Sequence, residues 1–240
     1  MAIPVNPDLV EKVVLGNRIL YHLGVLDGFG HISCRLDNSP EHFLLSANRA
    51  PGRVTKDDIL CLDLNGDIVN PTDKRSYLER FIHSEIYRSR PDVMSIVHSH
   101  SASVIPFGVT GTQLKPIYHM SGFLGGGTAL FEIRDAVGED NDLLIRDKYL
   151  GEALAKSLGG FNCVLMRGHG ATIVAPSVEV AVFRSYYAES NAKLQLTAMG
   201  MNAPITYLHE KEAHNAMVTN EGQIKRAWDL WVGQVADQIE

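Results

Sequence analysis

The strand-like stretches of this 240-residue chain lie together in its middle, with helical patterns before, between and after them. That arrangement restricts the fold more than any other feature. "GHISCRL" (Gly30 to Leu36) and "HFLLSA" (His42 to Ala47) alternate like antiparallel strands about the turn-like "DNSPE". "ILCLDLNGDIV" carries a hairpin signal, because Asn65-Gly66 supplies the positive backbone angles of a tight turn. "NCVLMRGHGATIVAP" reads as two strands joined at Gly168-His169-Gly170. A first helix is capped by Asn6 or Asp8 and runs to about Leu23, with Val10, Val13, Val14 and Leu20 on its apolar side. Helical spacing returns in "SYLERFIHSEIYRSR", with Phe81, Ile82 and Ile86 inward, and in "DKYLGEALAKSLG", closed by Gly159-Gly160. Between them lie a Gly-rich segment, "SGFLGGGTA", and a loop or lid around "RDAVGEDND". A long helix from Ser177 to about Ala198 leads into a helical tail from about residue 199. The pattern predicts one α/β domain over residues 1–240 with a largely antiparallel or mixed sheet.

A formal net charge of -6 argues against a nucleic-acid footprint. No apolar run is long enough to cross a bilayer, and "MAIPVNPDLV" lacks a signal-peptide profile. Cys34, Cys61 and Cys163 stand singly in apolar stretches and read as reduced core residues. The expected location is the cytoplasm.

Chemistry concentrates in "SIVHSHSASV". Alternate side chains of a strand share a face, so His98 and His100 point the same way. His169 stands between two glycines at a strand-to-strand corner, where the backbone bends tightly. Three converging imidazoles suit a transition metal with an open coordination position. The plain alternatives are packed histidines for the pair and a turn histidine for His169. Glu79 reads two ways. Ser76-x-x-Glu79 is a capping-box signature, and the same carboxylate could be a fourth ligand or a proton-transfer group. His83 lies one helical turn on, as a partner behind the site or a core histidine.

Glu79-x-x-x-His83, then "RPDVMSIVHSH", then "MRGHG", in that order and separation, resemble the class II aldolase/adducin family from about Val10 to Leu196. The resemblance implies a three-layer α/β/α sandwich in cyclic homotetramers, with active sites at subunit boundaries. It also implies one divalent metal ion per subunit, held by His98, His100 and His169 with Glu79 nearby. The adducin branch has lost metal ligands, whereas all four positions are filled here. Where the family's sugar-phosphate aldolases hold phosphate with small polar groups, this chain has His31, Asn48-Arg49 and Tyr77-Leu78. Arg49 and His31 could instead meet a carboxylate; their plain readings are surface charge and a packed strand residue. Tyr118-His119 puts an imidazole where the aldolases have a proton-donating phenol that reaches a neighbouring subunit's site. "GHIS", "YHM" and "LMRGHG" look closer to the family's decarboxylase branch, typified by 3-hydroxy-2-methylpyridine-4,5-dicarboxylate decarboxylase.

The resemblance therefore implies a metal-dependent carbon–carbon lyase that decarboxylates a hydroxylated aromatic or heteroaromatic (di)carboxylate through a stabilised carbanion or enolate. Glu79 or His119 returns the proton. Manganese or zinc is the expected ion, and cobalt or iron also suits the ligands. The expected partners are a small carboxylate substrate and further copies of the chain, with no nucleic acid and no membrane. Gly122 to Ala129, Trp228 and Trp231 are candidates for the interface or an active-site cover. Two alternatives stay open: a class II (retro-)aldolase for a non-phosphorylated hydroxy-carbonyl substrate, and an adducin-like interaction module without catalysis.

Overall fold

Asn6 accepts the amide of Asp8 and Pro7 pre-sets the next φ, which starts α1 (Pro7–His22). A computed structural model describes residues 3–236. After α1 come β1 (His31–Leu36), β2 (Ser39–Ser46), β3 (Ile59–Asp63), α2 (Arg80–Ser89), β4 (Ser95–Ser99) and α3 (Ile105–Thr110). A 3-10 turn over His119–Leu124 leads to β5 (Ala129–Phe131), α4 (Arg134–Val137), α5 (Lys148–Leu158), β6 (Cys163–Met166) and β7 (Gly170–Ala175). The helices α6 (Val178–Gly200), α7 (Glu210–Glu221) and α8 (Ile224–Val235) follow.

The strands form one seven-stranded sheet in the order β3-β2-β1-β4-β7-β6-β5. Neighbours pair antiparallel except β5 and β6, which run parallel. Every residue of β1, β4 and β7 is buried, so alternation there sorts side chains between two helical layers rather than between core and water. Ile32, Cys34, Leu44 and Val97 pack toward α1, α6 and α8. Phe43, Leu45, Ile96 and Val174 take the opposite face, with Ile82 and Ile86 of α2 and Leu150 and Leu154 of α5. Ile82 and Ile86 are fully buried, and truncating either to alanine would cost about 2–5 kcal/mol. The architecture is the expected α/β/α sandwich around a mixed sheet. No helix among the described residues is long and apolar enough to cross a membrane.

Four local readings change. At Asn65-Gly66 only Gly66 has positive φ (81°); the Asp63 carboxylate accepts the amides of Asn65 and Asp67. The return leg still pairs with β3: about the bridge Leu62–Ile68, Asp63 donates its amide to the Asp67 carbonyl and Val69 to the Cys61 carbonyl, both at 2.9 Å, so a short hairpin forms with a different turn. β5 appears where the sequence shows only the end of a Gly-rich segment, and α4 forms within the expected lid. Trp231 is buried against Tyr186 of its own chain, and a side chain at Gly122 would collide with the Ala213 carbonyl of α7. Both of these residues pack within the chain.

Candidate metal centre and its cavity

The centre is assembled at one end of three neighbouring strands. His98 in β4 lies directly opposite His31 in β1 and Thr172 in β7. Two glycines allow this approach. Gly30 has φ +83°, and an added Cβ would stand 2.9 Å from the His98 carbonyl oxygen. At Gly170 an added Cβ would run into the Ser99 carbonyl. Closing the β6–β7 turn so tightly onto β4 carries His169 to the end of the strand that holds His98. His100 follows one residue beyond β4.

Glu79 occupies the N-cap position of α2, but its side chain makes no cap bond. The helix begins at Arg80, so Ser76 lies outside it and the capping-box reading of Glu79 does not apply. Instead Glu79 Oε1 accepts the Ile145 amide at 3.0 Å, which leaves Oε2 facing the imidazoles. Oε2 is 3.6 Å from His98 Nε2 and 3.6 Å from His169 Nε2. His100 Nε2 is 3.3 Å from His98 Nε2 and 3.1 Å from His169 Nε2. The four ligand atoms all lie within 4.8 Å of one another. A tetrahedral site with arms of about 2.0–2.1 Å has edges of about 3.3–3.4 Å, and the four quoted spacings of 3.1–3.6 Å are close to such edges.

The surroundings orient these atoms. His169 Nδ1 donates to the Leu143 carbonyl at 2.9 Å, which leaves the Nε2 lone pair pointing inward. His98 Nδ1 faces Thr172 Oγ1 at 3.4 Å. Burial, reinforced by the facing His169, drives His98 well below its ordinary pKa and lowers His100 as well. Both rings are neutral and available as ligands. Burial also raises Glu79, against the pull of His169 and the Ile145 amide. No lysine or arginine bonds to this carboxylate among the described residues. A buried carboxylate that faces only imidazoles calls for a cation or a proton, and the residues present fit a divalent ion.

A cavity of about 310 Å³ opens on the quartet, reaching Glu79 and His100 and lined also by Phe29, His31, Arg49 and Tyr77. This is at the small end of ligand pockets. Arg49 is half exposed; its Nε donates to the Arg53 carbonyl at 2.8 Å and lies 3.3 Å from Asp58 Oδ2. Its terminal nitrogens have no protein partner among the described residues. His31 is buried, with Nδ1 2.6 Å from His83 Nε2. His119 is not brought into this cavity. It is exposed, and its backbone carbonyl accepts the Asn220 side-chain amide at 2.8 Å. The sequence reading missed Leu143, Ile145 and Thr172, whose contacts with the quartet are non-local and carry no motif.

Residues 11–196 match the Class II Aldolase and Adducin N-terminal domain. The chain belongs to the class II aldolase and adducin family. Within that family it is 37% identical over 248 residues to Decarboxylase tropJ of Talaromyces stipitatus, across 94% of this chain and 93% of that protein. It is 30% identical over 210 residues to 3,4-dihydroxyphthalate decarboxylase of Arthrobacter keyseri, covering 79% of each. Among solved structures, L-fuculose 1-phosphate aldolase from Glaciozyma antarctica PI12 shares the fold, with a TM-score of 0.79 at 20% identity over 100% of this chain and 97% of that one. Family and relatives together support a lyase.

Proposed function

We propose that this protein is a metal-dependent decarboxylase of a hydroxylated aromatic or heteroaromatic (di)carboxylate, working as a cytoplasmic homotetramer of single-domain chains. The relatives that act as decarboxylases, one of them on 3,4-dihydroxyphthalate, support the reaction class. The observation that carries the substrate class is the cavity wall. It combines the flat faces of Phe29 and Tyr77 with the donors of Arg49 and His31, and its described lining contains no serine or threonine hydroxyl for a phosphate.

His98, His100, His169 and Glu79 would hold the ion, with manganese or zinc the expected occupant. When bound, the ion supplies Lewis-acid stabilisation for the electron pair left on the substrate as carbon dioxide departs. The chain does the rest. Arg49 and His31 hold a carboxylate that stays on the ring, and the aromatic walls fix the ring plane. Glu79, held by the Ile145 amide, or His119 from a neighbouring subunit returns the proton to the ring carbon. A second reading, retro-aldol cleavage of a non-phosphorylated hydroxy-carbonyl compound, is favoured by the fold shared with the fuculose-phosphate aldolase.

A screen of hydroxylated aromatic acids with the metal-loaded protein separates the two readings. Carbon dioxide released in proportion to substrate consumed is the expected outcome. An aldehyde product without carbon dioxide would replace decarboxylation by aldol cleavage.

A further inference from the structure

Between β1 and α2 runs a line of polar side chains of which the chemistry above uses only His31. His31 Nδ1 is 2.6 Å from His83 Nε2. His83 Nδ1 is 2.7 Å from Ser33 Oγ, which is 2.7 Å from the Tyr87 hydroxyl. Ser33 and His83 are 0% exposed, Tyr87 1% and His31 3%. The surroundings include Phe43 and Ile96 of the core. Burial brings His83 down to about 3. The 2.6 Å contact joins two ring nitrogens, so one is an N–H donor and the other a lone pair, and each neutral ring holds one proton on one of two nitrogens.

Two proton arrangements keep the Ser33 proton in a bond within the line, and they run in opposite directions; letting Ser33 accept from both Tyr87 and His83 would leave its own proton without a partner among the described residues. In one, Tyr87 donates to Ser33, Ser33 to His83 Nδ1, and His83 Nε2–H to His31 Nδ1. The proton of His31 then sits on Nε2. In the other, every bond is reversed, His31 carries its proton on Nδ1, and the Tyr87 hydroxyl must find another acceptor. The available one is the Met94 carbonyl, 3.5 Å away. That carbonyl already accepts the Arg35 amide at 2.8 Å. A 2.7 Å bond to Ser33 outweighs a 3.5 Å contact with an occupied acceptor, because a buried hydroxyl proton without a good partner is costly. The forward direction wins.

We propose that Tyr87, Ser33 and His83 form a one-way hydrogen-bond relay that holds His31 as its Nε2–H tautomer, a fixed donor to the cavity beside the metal quartet. His31 lines that cavity, and its Nε2 has no protein partner among the described residues. Ser33, His83 and Tyr87 do not line it and are positioning residues. A fixed N–H at this point accepts a substrate carboxylate or carbonyl oxygen and disfavours a group that must itself donate. The identity of that oxygen as a carboxylate rests on the function proposed above; the tautomer does not.

The test is a two-bond proton–nitrogen correlation spectrum of zinc-loaded protein labelled with 15N-histidine, with His31 assigned by its loss in His31→Gln. The expected spectrum has a protonated, pyrrole-type Nε2 and a pyridine-type Nδ1 for His31 near neutral pH. Ser33→Ala removes the donor to His83 Nδ1, so a population of His31 protonated on Nδ1 should appear, and Ser33→Thr should remove it again. A pyridine-type Nε2 for His31 in the unmodified protein would overturn the relay, whether or not the Ser33 variants fold. A folded Ser33→Ala protein with the His31 tautomer unchanged would overturn it equally. Because no substrate is present, failure to release carbon dioxide in the screen would count against the proposed function and leave this result standing.

Discussion

Two of the quartet's side chains take their orientation from one short loop: Ile145 donates its amide to Glu79, and Leu143 accepts from His169. Leu143 does so with φ 67°, a left-handed conformation that costs a branched side chain about 1–2 kcal/mol. Asn141 holds it there by accepting the Leu143 amide at 3.0 Å. A β-branched residue fits this conformation worse, so Leu143→Val should weaken metal affinity about 10- to 100-fold, the usual range for partners behind a ligand. Titration with zinc and a competing chelator measures it; unchanged affinity would mean that the loop does not orient His169. Glu79→Gln keeps an oxygen for the Ile145 amide but removes the charge and the exchangeable proton. The expected result is partial metal loss and a kcat lowered by roughly two to four powers of ten, and normal turnover would remove Glu79 from the chemistry. At this scale the sequence exposes His98 and His100 through their spacing, His169 through its two flanking glycines, and Glu79 through the family's ordered motifs. It hides Ser33, Tyr87, Thr172 and Leu143, because a serine in a strand or a tyrosine in a helix looks the same whether or not it meets a histidine from elsewhere.

Helix α6 acts as a template for a segment that has no regular structure of its own. The Asn191 side chain accepts the Ile117 amide and donates to the Lys115 carbonyl. Gln195, one turn on, accepts the Lys115 amide and donates to the Gln113 carbonyl. These bonds replace a strand ladder and fix the chain that leads to Tyr118-His119. Asn191→Ala leaves the part-buried Ile117 amide and Lys115 carbonyl without their side-chain partner, at up to about 1–3 kcal/mol for each unsatisfied group. The melting temperature should fall while metal content stays near normal; a fall in metal content instead would place the segment in support of the quartet. The long elements are legible in the sequence because their apolar spacing is sustained. Three-residue β5 is too short to alternate visibly, and the Asn65-Gly66 hairpin has only Gly66 at positive φ, its loop amides being held also by the Asp63 side chain, which a dipeptide rule does not consider.

Across the whole molecule, the exposed position of His119 outside its own cavity matches a group that serves another copy of the chain. We expect a homotetramer in light scattering at micromolar concentration. His119→Phe should lose turnover with metal retained, whereas His169→Ala loses metal. If the proton donor crosses the boundary, hybrids of these two inactive variants should regain activity in sites that pair an intact metal shell with an intact His119. A fully active monomer, or hybrids as inactive as their parents, would place the donor within one chain.

The central claim is that Glu79, His98, His100 and His169 hold the ion on which turnover depends. Metal content per chain, measured by mass spectrometry after reconstitution and set beside the carbon dioxide release rate, tests it most directly. We expect close to one divalent ion per chain, release that disappears on chelation and returns with the metal, and loss of both in His98→Ala, His100→Ala or His169→Ala. Full release from the metal-free protein would contradict the account.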